Sequence, residues 1–167
     1  PIRLYGGNLY AGGGLASSAG GNFVVQGTGD VVVSGHVSTS GSFTGTAGAA
    51  KSLVLGMNQS TGVGSTISAD GGVTLNAGTT YLAGNITTVG NAISVTGDLQ
   101  VANLSADPVA NPITLNSAGG AITLTGGTVS GYSGTVADYA LVALNKSDSA
   151  TGISAGFSAI SGTNYLL

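Results

Sequence analysis

The sequence has no cysteine and no tryptophan, its acids are all aspartate, and charge of either sign is scarce. Charged residues make up 5% of the 167 residues, whereas an ordinary soluble domain has about 25%. Without cysteine no disulfide framework can form. The bases are Arg3, Lys51 and Lys146, which are too few and too scattered to neutralise a nucleic-acid backbone. No apolar run approaches the roughly 20 residues that span a bilayer. We therefore expect neither nucleic-acid binding nor membrane insertion.

The chain is rich instead in glycine, with 31 residues, and in serine, threonine and alanine. Such a composition is typical of disordered segments, but 42% of the residues are hydrophobic and the aliphatic ones are patterned. Strong helix formers such as glutamate, lysine and arginine are nearly missing, while valine, isoleucine and threonine are plentiful. This balance predicts an all-β fold.

A short aliphatic phrase returns at a fixed interval as SLVLG (52–56), GVTLN (72–76), AISVT (92–96) and PITLN (112–116). Two of its positions are aliphatic in every copy, and the interval between copies is constant. Because extended residues alternate faces, these positions point to one side, and the residue between them points to the other. The predicted core ladder consists of Leu53, Leu55, Val73, Leu75, Ile93, Val95, Ile113 and Leu115.

A constant period with two or three strand-like phrases and glycine turns in each copy indicates a repeat architecture. We predict a parallel β-helix (β-solenoid) with about 20 residues per coil and non-repeat terminal segments. The segment Val31–Val33 precedes Leu53 by slightly more than one interval, as one coil with a two-residue insertion. The alternative is an antiparallel β-sandwich, pilin-like subunit in which the repeat is a coincidence of hairpins.

The spacing predicts three regions: an N-terminal strand and glycine-rich hinge (1–21), solenoid coils (22–131), and a C-terminal cap or assembly segment (132–167). A solenoid exposes an unpaired strand edge at each end, which invites pairing with another chain. The terminal segments either cap their own chain or complete a neighbouring subunit in an open fibre. The candidate subunit contacts are Ile2, Leu4, Tyr5, Leu9, Tyr10, Tyr165, Leu166 and Leu167.

Catalytic groupings are weak in this sequence. His36 has Ser34 nearby, but serine is so common here that a nucleophile–base pair has little support. Asp98 and Asp107 are the closest carboxylates in the repeat region, and turn-forming aspartates explain them better than glycan cleavage does. We predict no catalytic residue, no cofactor and no metal site, and therefore no enzyme.

Binding to ice is a further possibility, because threonine-rich β-solenoids offer regular hydroxyl groups. The predicted outward column provides at most one hydroxyl per coil and no double row, which argues against ice binding. That column contains Val54, Thr74, Ser94 and Thr114.

The phrases NAISVTGDLQVANLS and NSAGGAITLTGGTVSG resemble the β-helix repeats of filamentous haemagglutinin-like adhesins and autotransporter passengers. These are secreted bacterial surface proteins. The resemblance extends over roughly 22–131, and it implies a right-handed parallel β-helix with an adhesive or structural role outside the cell.

The expected function is that of a secreted, extracellular or cell-surface structural protein without catalysis, as a subunit of a self-assembling fibre or as an adhesin segment. The expected partners are copies of the chain itself, joined head to tail, and host or surface glycans. The alternative is a glycan-binding or glycan-cleaving β-helix of the tailspike kind.

Overall fold

The structure is a computed structural model that describes residues 2–17, 20–57, 64–105, 111–131, 141–144 and 153–156. Within these ranges the chain forms 17 β-strands and no helix, in two sheets. The 11-stranded sheet contains β1 (Ile2–Gly6), β2 (Leu9–Ala11), β4 (Phe23–Gly27), β5 (Val31–Val33), β7 (Phe43–Thr46), β8 (Ser52–Leu55), β10 (Val73–Leu82), β12 (Ile93–Val101), β14 (Ile122–Thr125), β15 (Val129–Gly131) and β17 (Ile153–Gly156). The six-stranded sheet contains β3 (Leu15–Ser17), β6 (Val37–Thr39), β9 (Ile67–Ala69), β11 (Ile86–Thr87), β13 (Ile113–Asn116) and β16 (Leu141–Leu144).

The strands form three rows that the chain visits in turn. The first row is β1-β4-β7-β10-β12-β14-β17, and the second is β2-β5-β8 followed by the second halves of β10 and β12 and then β15. The third row is the six-stranded sheet, in the order β3-β6-β9-β11-β13-β16. Each strand therefore pairs with the strand of the same row one turn of the chain later, and we call each such step a rung.

Every strand pairing between described residues is parallel. The prediction of an all-β chain of parallel strands is confirmed, and the alternative of an antiparallel sandwich is wrong. Two neighbouring parallel strands must be joined by a long connection. Here the chain makes that connection by passing through the other two rows. The arrangement is consistent with a β-helix or solenoid.

The length of chain between register partners varies along the first row. The steps from Phe23 to Phe43 and from Val73 to Ile93 are equal, and both match the interval of the sequence repeat. The steps from Phe43 to Val73 and from Ile93 to Ile122 are longer by nearly half. A coil of constant length is therefore not confirmed.

The extra residues enter at one corner, between the second and third rows. The connections from β5 to β6 (34–36) and from β10 to β11 (83–85) are short. Those from β8 to β9 (56–66) and from β12 to β13 (102–112) are much longer. A longer connection on the surface costs little free energy, since the loop-closure penalty grows only with the logarithm of its length.

These long connections correct the predicted ladder. The structure pairs Val73 with Ile93 and Leu75 with Val95, as the constant spacing predicts. Leu53, however, pairs with Thr80 rather than with Val73, because the connection after β8 delays the return to the first row.

At the other end of the ladder, Ile113 lies in the third row and pairs with Leu141, while Ile93 pairs with Ile122. Leu115 pairs with Ile86, also in the third row. The eight residues thus belong to three rows instead of one. All eight are nevertheless buried, with at most 6% of each side chain exposed.

Alternation of buried and exposed residues places the core inside the three rows. In β4 the pattern of FVVQG buries Phe23, Val25 and Gly27 and leaves Val24 and Gln26 toward solvent. The same alternation recurs in β7, β10 and β12, and the buried side chains form one cluster along the molecule. Removal of this aliphatic surface from water is the main force that stabilises the fold.

Parallel pairing also extends past both predicted region boundaries. Strand β1, inside 1–21, pairs along its whole length with β4, and β2 and β3 pair with β5 and β6. Strands β16 and β17, inside 132–167, pair with β13 and β14.

Candidate functional site

The N-terminal end of the three rows is formed by β1, β2 and β3. Each of these strands pairs on one side only, and the part of the chain that the structure describes places no strand on the other side. In a parallel pair, the backbone groups of alternate residues face opposite neighbours. The Ile2 N–H donates to the Asn22 carbonyl at 2.7 Å, so the backbone groups of Arg3 and Tyr5 face the open side. We call this end, residues 2–17, the N-terminal edge.

The N-terminal edge leaves the apolar interior uncovered. Ile2 is 46% exposed, although its register partner Phe23 is only 2% exposed. Leu4 is 38% exposed, and its partner Val25 is fully enclosed. The inner columns of the core therefore continue to this end of the molecule, and no described strand covers them there.

A recess of about 350 Å³ opens on the N-terminal edge. Its wall is mainly aliphatic and aromatic, with one cationic side chain. The lining residues are Arg3, Leu4, Tyr5, Leu9, Tyr10, Ala11 and Val25. Tyr10 is 76% exposed, so a large aromatic surface stands in water beside the recess.

The predicted contact residues divide into two groups. Ile2, Leu4, Tyr5, Leu9 and Tyr10 all lie on the N-terminal edge, and the structure brings the last four together around the recess. Tyr165, Leu166 and Leu167 lie outside the described residues.

No protein-family model matches the chain, and no curated protein and no solved structure matches it. The function must therefore be inferred from the geometry of the chain itself.

Polar side chains at the corners between rows perform a structural role that the sequence pattern did not reveal. Five of them directly precede a strand, and the sixth, Asp98, directly precedes the second half of β12. At six places such a side chain accepts a hydrogen bond from the backbone N–H of the equivalent residue one rung later. The donor and acceptor pairs are Asp30 N–Asn8 Oδ1, Ser42 N–Asn22 Oδ1, Ser52 N–Asp30 Oδ1, Thr66 N–His36 Nδ1, Thr114 N–Asn85 Oδ1 and Thr128 N–Asp98 Oδ1, all at 2.8–2.9 Å. These bonds satisfy backbone donors at the corners, where the ladder of the sheet begins.

These hydrogen bonds explain the positions of the histidine and of two aspartates, the residue types from which a catalytic site could be built. The Nδ1 atom of His36 accepts from the Thr66 N–H, and none of its hydrogen-bond partners among the described residues is a serine. Asp30 and Asp98 occupy equivalent positions three rungs apart, which corresponds to about 14 Å at the usual strand spacing. Such a separation exceeds the distance of about 9.5 Å that paired carboxylates of a glycosidase tolerate. Asp107 lies outside the described residues.

The described residues contain no group of three or more histidine or acidic side chains that could hold a metal ion. Among them there is also no helix long and apolar enough to cross a membrane.

A second recess of about 350 Å³ lies where the two long connections leave the core. Its described lining is uncharged and mixes polar with apolar residues. The polar ones are Thr66, Asn85, Asn103, Ser105 and Asn111, and the apolar ones include Ala83, Leu104, Pro112 and Ile113. The Asn103 side chain is buried, donates through Nδ2 to the Asn111 carbonyl at 2.8 Å, and accepts from the Ser105 N–H at 2.9 Å. Asn103 thus links the two described ends of the connection between β12 and β13.

Proposed function

We propose that the protein is a non-enzymatic, extracellular structural β-helix that assembles end to end with copies of itself. The three rows would be the walls of the helix, with a basic coil of about 20 residues that is lengthened where the corner connection is longer. The resemblance to filamentous haemagglutinin-like adhesins and autotransporter passengers, the low charge and the continuous aliphatic core all support this class. The low charge suits stacking, since like charges at equivalent positions would repel one another on successive rungs.

The uncovered N-terminal edge is the observation that carries the assembly proposal. It combines unpaired backbone groups in β1 with inner aliphatic side chains whose equivalents from β4 to β14 are buried. A free edge of this kind is a template for an added strand. A second copy that adds its strands there would extend the inner columns and cover the recess around Tyr10.

The pairing of β1 with β4 constrains how subunits would join. Residues 2–6 are already paired along their length with 23–27 of the same chain. The connection therefore forms by stacking on the outer side of β1, and does not require that strand to leave its own subunit. The contact is head to tail and does not close on itself, which produces a fibre.

Leu4→Asp tests this proposal, because it places a carboxylate in an inner column at the open end. Burial of an unpaired charge costs several kcal/mol, so we expect the concentration needed for assembly to rise at least about tenfold. Sedimentation velocity over a range of concentrations, with electron microscopy of the same samples, measures the change.

Val89→Asp is the matched control, since Val89 is 61% exposed and lies away from the N-terminal edge. We expect it to assemble like the wild type. Thermal melts of both variants verify that the monomer remains folded. A wild-type protein that stays monomeric at every concentration, or equal effects of the two substitutions, would refute end-to-end assembly through this edge.

Surface glycans remain the second proposed partner. The uncharged recess around Asn85 and Asn111 contains amide and hydroxyl groups of the kind that bind sugar hydroxyls, beside apolar residues. It contains no aromatic ring and no carboxylate among its described residues, so it suits binding better than cleavage.

A further inference from the structure

The register of the first row creates a double column of mostly hydroxyl-bearing side chains on its outer face. In β7, β10, β12 and β14 the first and third residues after the strand start alternate with buried ones and point outward. Register pairs align these residues over four consecutive rungs without a shift. The first column is Thr44, Thr74, Ser94 and Thr123, and the second is Thr46, Asn76, Thr96 and Thr125. We call these eight residues the hydroxyl array.

The array replaces the outward column that spacing alone predicted. Val54 lies in the second row and Thr114 in the third, so neither belongs beside Thr74 and Ser94. Their places are taken by Thr44 and Thr123. The sequence spacing predicted at most one outward hydroxyl per coil, but the folded chain has two such columns side by side. The argument against ice binding therefore does not apply.

Composition sets the array apart from the neighbouring row. Six of its eight residues are threonine, and it contains no charged and no aromatic side chain. The equivalent outward residues of the second row are Val32, Val54, Tyr81 and Gln100, none of which is serine or threonine. A general preference of strands for threonine does not explain this difference between two rows of one fold.

The array is also available to an external partner. Its side chains are exposed or half-buried, and none of them makes a side-chain hydrogen bond to another described residue. Threonine is stiff about its first side-chain torsion, so each residue presents its hydroxyl and methyl groups in a nearly fixed direction. The surface is therefore rigid before anything binds.

The array repeats in two directions. Hydroxyl groups recur at about 4.8 Å from rung to rung and at about 6.6 Å along each strand. Oxygen atoms on the prism faces of hexagonal ice also recur in two perpendicular directions, with a short and a long repeat of comparable size. We propose that the hydroxyl array is an ice-binding surface, on which ordered water held by the hydroxyl and methyl groups joins the ice lattice.

The absence of charge and aromatic rings in the array favours ice over other partners. Sugar-binding surfaces typically stack aromatic rings on the sugar, and phosphate or nucleic-acid surfaces need cations. The array ends at β4 and β1, where Val24, Gln26, Arg3 and Tyr5 take the equivalent positions. This inference is independent of end-to-end assembly, because it concerns a side of the molecule and not its end.

Wild-type protein should hold the freezing point of a small ice crystal below its melting point and should be retained in slowly growing ice. Thr96→Lys, in an exposed array position, should abolish both effects. Thr87→Lys is the matched control, since Thr87 is an exposed strand threonine of the third row, and it should retain both effects. Asn76→Thr completes the array and should increase the freezing-point gap.

Circular dichroism melts establish that the variants are folded, and the Asn76→Thr gain provides a test that loss of folding cannot imitate. A wild-type protein that is excluded from growing ice overturns the proposal, as does equal loss in Thr96→Lys and Thr87→Lys. Adsorption of the wild type to insoluble cellulose but not to ice would also overturn it.

Discussion

Thr80 has a polar side chain in an apolar position. Its side chain is fully buried between Leu53 and Leu99 in an inner column of the second row. Among the described residues, its hydroxyl oxygen is the only buried side-chain polar atom without a hydrogen-bond partner. A buried hydroxyl without a partner costs about 1–3 kcal/mol of stability.

Thr80→Val should therefore stabilise the protein by about 1 kcal/mol, because it exchanges the hydroxyl for a methyl group of similar size. Urea denaturation measures the change in free energy of unfolding. Thr39→Val is the opposite case, since the Thr39 hydroxyl donates to the Gly21 carbonyl and accepts from the Gly41 N–H. It should destabilise by about 1–2 kcal/mol. The same sign for both substitutions would contradict this account of the core.

At the scale of single strands, the six polar side chains at the corners connect one rung to the next. Asp98 is the clearest example, since its Oδ1 atom accepts from both the N–H and the hydroxyl of Thr128. These bonds link β12 to the start of β15, where the pairing register of the second row begins again. The bonded side chain therefore helps to define which residues pair.

Asp98→Ala should lower stability by about 1–2 kcal/mol, because the half-buried Thr128 N–H loses its acceptor. Asp98→Asn keeps an oxygen at the same place and should cost less. Asp70→Ala serves as the control, as Asp70 is exposed and its carboxylate makes no hydrogen bond to a described residue, so the change should stay within about 0.5 kcal/mol. Midpoints of urea unfolding compare the three variants, and a cost at Asp70 as large as at Asp98 would contradict the assignment.

For the whole molecule, stability should rise from the N-terminal edge toward the middle. Strands β10 and β12 pair on both sides, whereas β1 pairs on one side and is exposed along its whole length. Local opening requires least free energy where buried contacts are few and a strand has a free edge.

Amide hydrogen exchange should therefore be orders of magnitude slower in β10 and β12 than in β1 when the protein is monomeric. The same measurement at high concentration should show added protection in β1, where the proposed assembly covers the edge. Uniform exchange across the three strands would indicate a single cooperative unit and contradict this gradient.

The local pattern of the sequence predicted the inner faces of the repeat strands correctly. Val31, Leu53, Val73 and Ile93 are buried as their alternation indicates, and the step from Val31 to Leu53 joins a true register pair. These features depend on neighbouring residues in the chain, because the period of two in a strand decides which side chains share a face.

Tertiary structure alone decided which strand lies on which. The step from Leu53 to Val73 has the same length as the step from Val73 to Ile93, yet only the second joins register partners. Spacing counts residues along the chain, and a long corner connection adds residues without adding a rung. The hydroxyl array followed only from the correct register, because contact between strands, and not distance in the sequence, places Thr44, Thr74 and Thr123 in one column.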